Sequence, residues 1–230
     1  MMLEVLDNAD AVARKAAAMI AGEARLAVAT HGRFIMAVSG GRTPWKMLRA
    51  LAREEVPWEG VHVVQVDERL APEGHPDRNL THLRESLLEQ APLRPERIHA
   101  MPVEAKDLQA AAAGYAMTLQ EITGSPAMID LVHLGLGSDG HTASLVPGDP
   151  VLGIDDRDVA LTGVYQGRRR MTLTYPILNR SRRILWVVTG AEKVEMLHRL
   201  RRADRSIPAG WVRQEQALVL ADRAALGEEK

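Results

Sequence analysis

The chain has 230 residues, 46% hydrophobic and 26% charged, with a formal net charge of −1, which fits a globular domain with a substantial core and excludes a general polyanion binder. No apolar stretch is long enough to span a bilayer, and the absence of cysteine excludes disulfides, thiolate metal sites and a cysteine nucleophile. Met1-Met2-Leu3-Glu4-Val5 lacks the basic and apolar regions of a signal peptide, so a cytoplasmic location is expected.

From the amino end, the alanine-rich periodic stretch 9–29 predicts a helix with Asp7 or Asn8 as N-cap, and 33–38 reads as a strand. Thr43-Pro44 opens a second helix, because proline at the first helical position forfeits no needed N–H. A strand over 61–66 ends at Asp67-Glu68-Arg69, and a helix follows over about 78–90. Residues 108–122 predict another helix before a strand at 129–134. Further strands are expected near 159–164, 171–174, 184–189 and 217–220, with a helix over 191–202 and flexible loops at 71–76 and 122–126. Apolar runs at 131–136 and 184–188 predict strands buried on both faces. The expected fold is a single α/β domain over 1–230: doubly wound and Rossmann-like, with a mainly parallel sheet and helices on both faces.

Four segments carry chemistry. At the first strand-to-helix junction, Ser39, Gly40, Gly41 and Thr43 form a turn whose glycines let the backbone close around an anion, with N–H and hydroxyl donors. The spacing lacks the length and lysine of a nucleoside triphosphate loop, so a monophosphate fits better. Ser39 also invites a serine-nucleophile reading, but position 37 is alanine where a nucleophile elbow needs glycine. Next, Asp67-Glu68-Arg69 and then His75-Pro76-Asp77-Arg78-Asn79 follow a strand's carboxyl end. There Arg69 would meet a phosphate or a developing oxyanion, or else the charges form a structural ion pair.

The third segment runs from Met128 to Gly148 and holds Asp139-Gly140-His141 after a buried-looking strand. Its Gly135-Leu136-Gly137-Ser138-Asp139-Gly140 matches a dinucleotide fingerprint, yet Pro147-Gly148 interrupts the long helix that fingerprint must open, and Asp139 would repel pyrophosphate. His141 is the best general base, with Asp139 orienting it. His133 is not expected to join His141 as a metal ligand. The fourth segment supplies Arg170, with Thr172 and Thr174, and Lys193 at another strand-to-helix turn, two cations for one phosphate. The arginine clusters at 168–170, 180–183 and 199–202 otherwise read as solvated faces, without a nucleic-acid-binding signature.

Together these motifs resemble the 6-phosphogluconolactonase family from about Ser39 to Ala209: Ser39-Gly40-Gly41 with Thr43-Pro44, Asp67-Glu68-Arg69, Gly135 through Gly148, and Ile207-Pro208-Ala209. Two positions depart from the family pattern, Arg78 where serine is common and Val146 where phenylalanine is common. The wider superfamily includes glucosamine-6-phosphate deaminases and non-catalytic sugar-phosphate-sensing domains of repressors. His141-Thr142-Ala143-Ser144-Leu145 looks like the lactonase version, and no DNA-binding segment fits before Arg33. The resemblance implies hydrolysis of 6-phospho-D-glucono-1,5-lactone in the oxidative pentose phosphate pathway, with no metal or organic cofactor. His141, Arg69 and Asp139 would be catalytic, with backbone N–H groups near Gly137 assisting Arg69. Ser39, Gly40, Gly41, Thr43, Asp67, Arg170 and Lys193 would bind substrate. The implied partner is the small phosphosugar lactone, not nucleic acid or membrane, and the implied state a monomer or small homo-oligomer.

Overall fold

A computed structural model describes residues 1–228. After strand β1 (Met2–Leu6), the Asn8 side chain accepts the N–H groups of Asp10 and Ala11 and so starts helix α1 (Ala9–His31). The helix stops at Gly32, whose φ of 80° suits glycine. Its inner face is built from Val12, Ala16, Ile20 and Ala24, mostly small residues that let it lie close to the strands. There follow β2 (Phe34–Val38), α2 (Arg42–Leu51), β3 (Val61–Gln65), β4 (Asp67–Arg69), α3 (Asn79–Leu83) and β5 (Ile98–His99). The remainder is α4 (Leu108–Thr123), β6 (Leu131–Leu134), β7 (Val159–Leu161), β8 (Arg170–Leu173), α5 (Tyr175–Arg180), β9 (Arg183–Val188), α6 (Val194–Arg201) and β10 (Ala217–Asp222). Among the described residues no helix is long and apolar enough to cross a membrane.

Seven strands form one parallel sheet in the order β1-β10-β9-β6-β2-β3-β5. Successive residues of β2 serve opposite cores: Phe34, Met36 and Val38 pack with α1 and α2, whereas Ile35 and Ala37 pack with α4. This is the doubly wound arrangement that the apolar runs predict. From β2 the chain moves outward through β3 to β5, then returns to the other side of β2 and continues through β6 and β9 to β10. Strand order therefore reverses between β2 and β6, and their carboxyl ends open a crevice, the place where such sheets bind ligands.

Several elements differ from expectation. The strands foreseen near 159–164 and 171–174 leave the parallel sheet and form, with β4, an antiparallel sheet in the order β4-β8-β7. Val66 joins the two sheets: its N–H donates to Val38 O at 3.0 Å and its carbonyl accepts from Leu173 at 2.8 Å. The helix foreseen over 78–90 keeps only α3 as regular α-helix, then widens to an i→i+5 turn in which Glu89 N–H reaches Arg84 O at 3.1 Å. The strands β1 and β5 and the helix α5 are additional. They are short, and β1 and β5 lie at the sheet edges, so half-exposed residues leave little periodic signal.

Candidate active site

The turn between β2 and α2 is shaped by its glycines. A Cβ at Gly40 would strike the Asn79 side chain, and Gly41 has φ 128°, which other residues rarely adopt. No side chain caps α2, so its first N–H groups are left for a ligand at the cleft. Ser39 departs from expectation as a hydroxyl donor: its Oγ donates to the His133 carbonyl at 3.0 Å, and its N–H donates to His133 Nδ1 at 3.3 Å. With that proton held by a main-chain oxygen and no imidazole accepting it, the nucleophile reading fails as well. The Thr43 hydroxyl lies 2.7 Å from that of Thr189, just beyond β9. His133 is fully buried, and burial pushes its imidazole down to about 3, so it stays neutral.

Of the three charged residues at 67–69, one is purely structural. The Glu68 carboxylate is buried and accepts the N–H groups of Arg69, Asn79 and Leu80, each at 2.8 Å, and the Gln65 amide at 2.9 Å. It thereby caps the start of α3. Arg78 adds an ion pair to Glu68 at 3.2 Å and a hydrogen bond to Ala71 O at 2.8 Å, so this departure from the family pattern serves the scaffold. Val146 is buried and its change is one of packing. Asp67 is buried too, accepting the Ser144 hydroxyl at 2.5 Å and Asn79 Nδ2 at 3.3 Å. The Arg69 guanidinium donates to Asn79 Oδ1 and to Asp77 O, and these bonds hold it at the cleft wall.

The loop after β6 builds a carboxylate–imidazole pair. Asp139 Oδ1 lies 2.5 Å from His141 Nδ1 and accepts His141 N–H at 3.1 Å, while Oδ2 accepts the Tyr165 hydroxyl at 3.0 Å. Burial alone would raise the Asp139 carboxyl, but the His141 N–H, the His141 ring and the Tyr165 hydroxyl outweigh it and hold the group below its usual range. A Cβ at Gly137 would collide with the His141 ring, so glycine is required there. Gly140, with φ 82°, lies against Ile207, and its carbonyl accepts Ala209 N–H at 2.9 Å. Ile207-Pro208-Ala209 is thus the floor under the Asp-Gly-His turn. The Gly137 N–H, counted among the expected oxyanion donors, is spent on the His141 carbonyl at 2.8 Å. No helix follows Gly140; Thr142 and Leu145 pair across a tight turn instead, which rules out the dinucleotide reading.

Arg170 on β8 and Lys193 complete the walls. Arg170 is 4% exposed, its Nε has no partner among the described residues, and burial together with the nearby Arg69 charge lowers its pKa. Lys193 pairs with Glu192 only at 4.0 Å. The resulting cleft has a volume of about 710 Å³ and gathers every expected site residue except Asp139, which stands behind His141. Sequence reasoning gave no role to Asn79, Thr189 or Arg42, and missed Tyr165. Arg42 had a signal, its place at the helix start, whereas Tyr165 arrives from a distant hairpin. The other arginines are mostly paired: Arg168 with Asp77 at 2.6 Å, Arg180 with Asp158 at 2.6 Å, Arg199 with Asp204 at 2.8 Å. Among the described residues no three His, Cys, Asp or Glu side chains converge as metal ligands.

The family model described as glucosamine-6-phosphate isomerases/6-phosphogluconolactonase matches residues 7–220. The chain is 38% identical over 199 residues to a 6-phosphogluconolactonase of Synechocystis, covering 85% of this chain and 82% of that protein. It is 34% identical over 235 residues to one of Nostoc, covering 99% and 97%. The solved 6-phosphogluconolactonase of Thermotoga maritima matches with a TM-score of 0.85 at 26% identity, covering 96% and 98%. A Ser-Gly-Gly turn and an Asp-Gly-His loop at the two diverging strand ends, inside a match of this extent, have one explanation: the chain belongs to the glucosamine-6-phosphate isomerase/6-phosphogluconolactonase family.

Proposed function

We propose that this protein hydrolyses 6-phospho-D-glucono-1,5-lactone to 6-phospho-D-gluconate, a step of the oxidative pentose phosphate pathway. The observation that carries the reading is the His141–Asp139 pair, which opens onto the same cleft as Arg69, Arg170, Lys193 and the start of α2. With Nδ1 engaged by Asp139, His141 Nε2 takes a proton from water as the water oxygen bonds to the lactone carbonyl carbon. The carbonyl electrons move to oxygen, and Arg69 stabilises that oxyanion. When the carbonyl re-forms, the bond to the ring oxygen breaks and His141 returns its proton to that oxygen. The acid product then ionises. No step calls for a metal or an organic cofactor. The backbone of Gly40 and Gly41, with Thr43, Arg170 and Lys193, anchors the 6-phosphate and so fixes the reacting carbon against His141. Asp67 acts from beneath, through Asn79 and Ser144.

The test follows 6-phosphogluconate formation from lactone freshly made from glucose 6-phosphate, against the spontaneous rate. Wild type should accelerate it, and folded His141→Ala should lose about 10²-fold or more. Gluconolactone without phosphate should be a poor substrate. No acceleration by wild type, with ammonia released from glucosamine 6-phosphate instead, would move the protein to the deaminase branch of its family.

A further inference from the structure

Residues 162–169 form the tip of the β7–β8 hairpin, and this tip is constructed in detail. Tyr165 N–H donates to Arg168 O at 2.9 Å, and the two residues between them, Gln166 and Gly167, have φ of 51° and 78°. Two successive positive φ values are what a tight primed hairpin turn requires, but a glutamine rarely accepts one. The tip is stapled down: Arg168 donates to Asp77 Oδ2 at 2.6 Å and lies 3.1 Å from His75 Nε2. What this delivers to the cleft is the Tyr165 side chain.

Tyr165 touches both chemical ends of the site. Its hydroxyl donates to Asp139 Oδ2, the oxygen that His141 does not use. Its ring meets the His141 ring edge-on, 5.6 Å between centroids at 65°. The Arg170 guanidinium lies over the same ring at 5.0 Å from the centroid. A carboxylate held through one oxygen can still swivel, and a second donor on the other oxygen fixes its plane and hence the plane of the imidazole bonded to it. The Arg170 fork has one long side-chain hydrogen bond, Nη2 to Gln166 Oε1 at 3.4 Å, and its Nε has no partner among the described residues, so the ring face is the surface that fixes its plane. Burial and the adjacent Asp139 raise the Tyr165 phenol, which keeps it a donor.

We propose that Tyr165 is a positioning residue that locks the Asp139–His141 pair through its hydroxyl and the Arg170 guanidinium through its ring face. One side chain on a stapled hairpin thus aligns the proton-transfer group with an anion-holding group. The proposal rests on the lactonase reading for its kinetic consequences, though not for the geometry it assigns.

The test compares Tyr165→Phe and Tyr165→Leu with wild type. Phenylalanine keeps the ring and loses the hydroxyl, so kcat should fall roughly 10-fold with KM within about twofold. The acid limb of the kcat profile should move to higher pH, because Asp139 loses a hydrogen bond that favours its ionised form. Leucine should show the same loss in kcat plus a rise in KM of about fivefold, as Arg170 loses its ring. Independently of any substrate, the His141 Nδ1–H proton resonance, assigned by its loss in His141→Ala, should exchange faster with water in Tyr165→Phe at unchanged melting temperature. Failure of wild type to hydrolyse the lactone, with that exchange change present, would sink the functional reading and keep the clamp. A Tyr165→Phe protein matching wild type in kcat, pH profile and exchange would overturn the clamp, as would losses in both variants that merely track a lower melting temperature.

Discussion

Ser144 donates its hydroxyl to the Asp67 carboxylate across 2.5 Å, joining the Asp-Gly-His loop to the first strand of the antiparallel sheet. Both residues are buried. Ser144→Ala leaves that carboxylate oxygen without a side-chain donor, and an unsatisfied buried acceptor costs about 1–3 kcal/mol. Urea unfolding should show a lower midpoint at an unchanged slope. An unmoved midpoint would mean that the bond contributes nothing to stability.

Gly137 is the second point of sensitivity. Its φ is not in the left-handed region, so alanine costs the backbone little, yet the added methyl meets the His141 ring. Gly137→Ala should therefore displace the pair and reduce kcat by about 10²-fold, the penalty for a misplacement near 1 Å. Circular dichroism melting should change far less than turnover. Wild-type turnover would show that the ring position does not limit the reaction.

Among the described residues Lys193 reaches the cleft with only a 4.0 Å contact to Glu192, so its charge is available to a ligand. Lys193→Ala should raise KM for the phosphorylated lactone about tenfold, equivalent to about 1.4 kcal/mol. The inhibition constant of inorganic phosphate should rise alongside, while KM for unphosphorylated gluconolactone should not move. Equal effects on both lactones would remove Lys193 from phosphate anchoring.

Acid stability should carry the signature of His133. The folded state holds this imidazole down to about 3 against 6.5 for a free one, so the unfolded chain takes up its proton first. Stability contributed by the neutral ring is present in full above pH 6.5 and is lost as pH falls toward 3, by about 1.4 kcal/mol per pH unit. His62, held down to about 4 chiefly by burial, acts in the same direction over a narrower window. His133→Asn keeps an acceptor for Ser39 N–H and removes the titration, so unfolding free energy plotted against pH should be shallower by about one proton. An unchanged slope would place the titration elsewhere.

The parallel sheet and most of its helices are legible in the sequence because apolar period and capping residues are local signals, as at Asn8. The residues of the cleft are legible for a related reason: glycines at 40, 137 and 140 mark places where a side chain cannot fit, and Gly41 one where the backbone takes an angle other residues rarely adopt. What escaped is relational. Nothing near Ser39 says that its hydroxyl will turn to His133, nor near Gly137 that its N–H will close on His141. Nothing near Tyr165 says that a hairpin from a second sheet will carry it to Asp139. Likewise Asp67-Glu68-Arg69 reads as one charged motif, and only the fold separates Glu68, which caps α3, from Arg69, which faces the cleft.

The pairing of β1 with β10 sets a timetable for the nascent chain. Met2–Leu6 is made before the other strands of the sheet, but its neighbour among the described residues is Ala217–Asp222, more than two hundred residues later. At about 5–20 residues per second, the strand waits ten seconds or more with its edge unpaired, open to association with other chains. The same late strand supplies Asp222, which accepts the Gly190 N–H at 3.0 Å and so shapes the turn that presents Lys193. One wall of the cleft is therefore finished only once β10 has emerged, and a chain cut short before it would keep the β1 edge unpaired and the Lys193 turn without its Asp222 support.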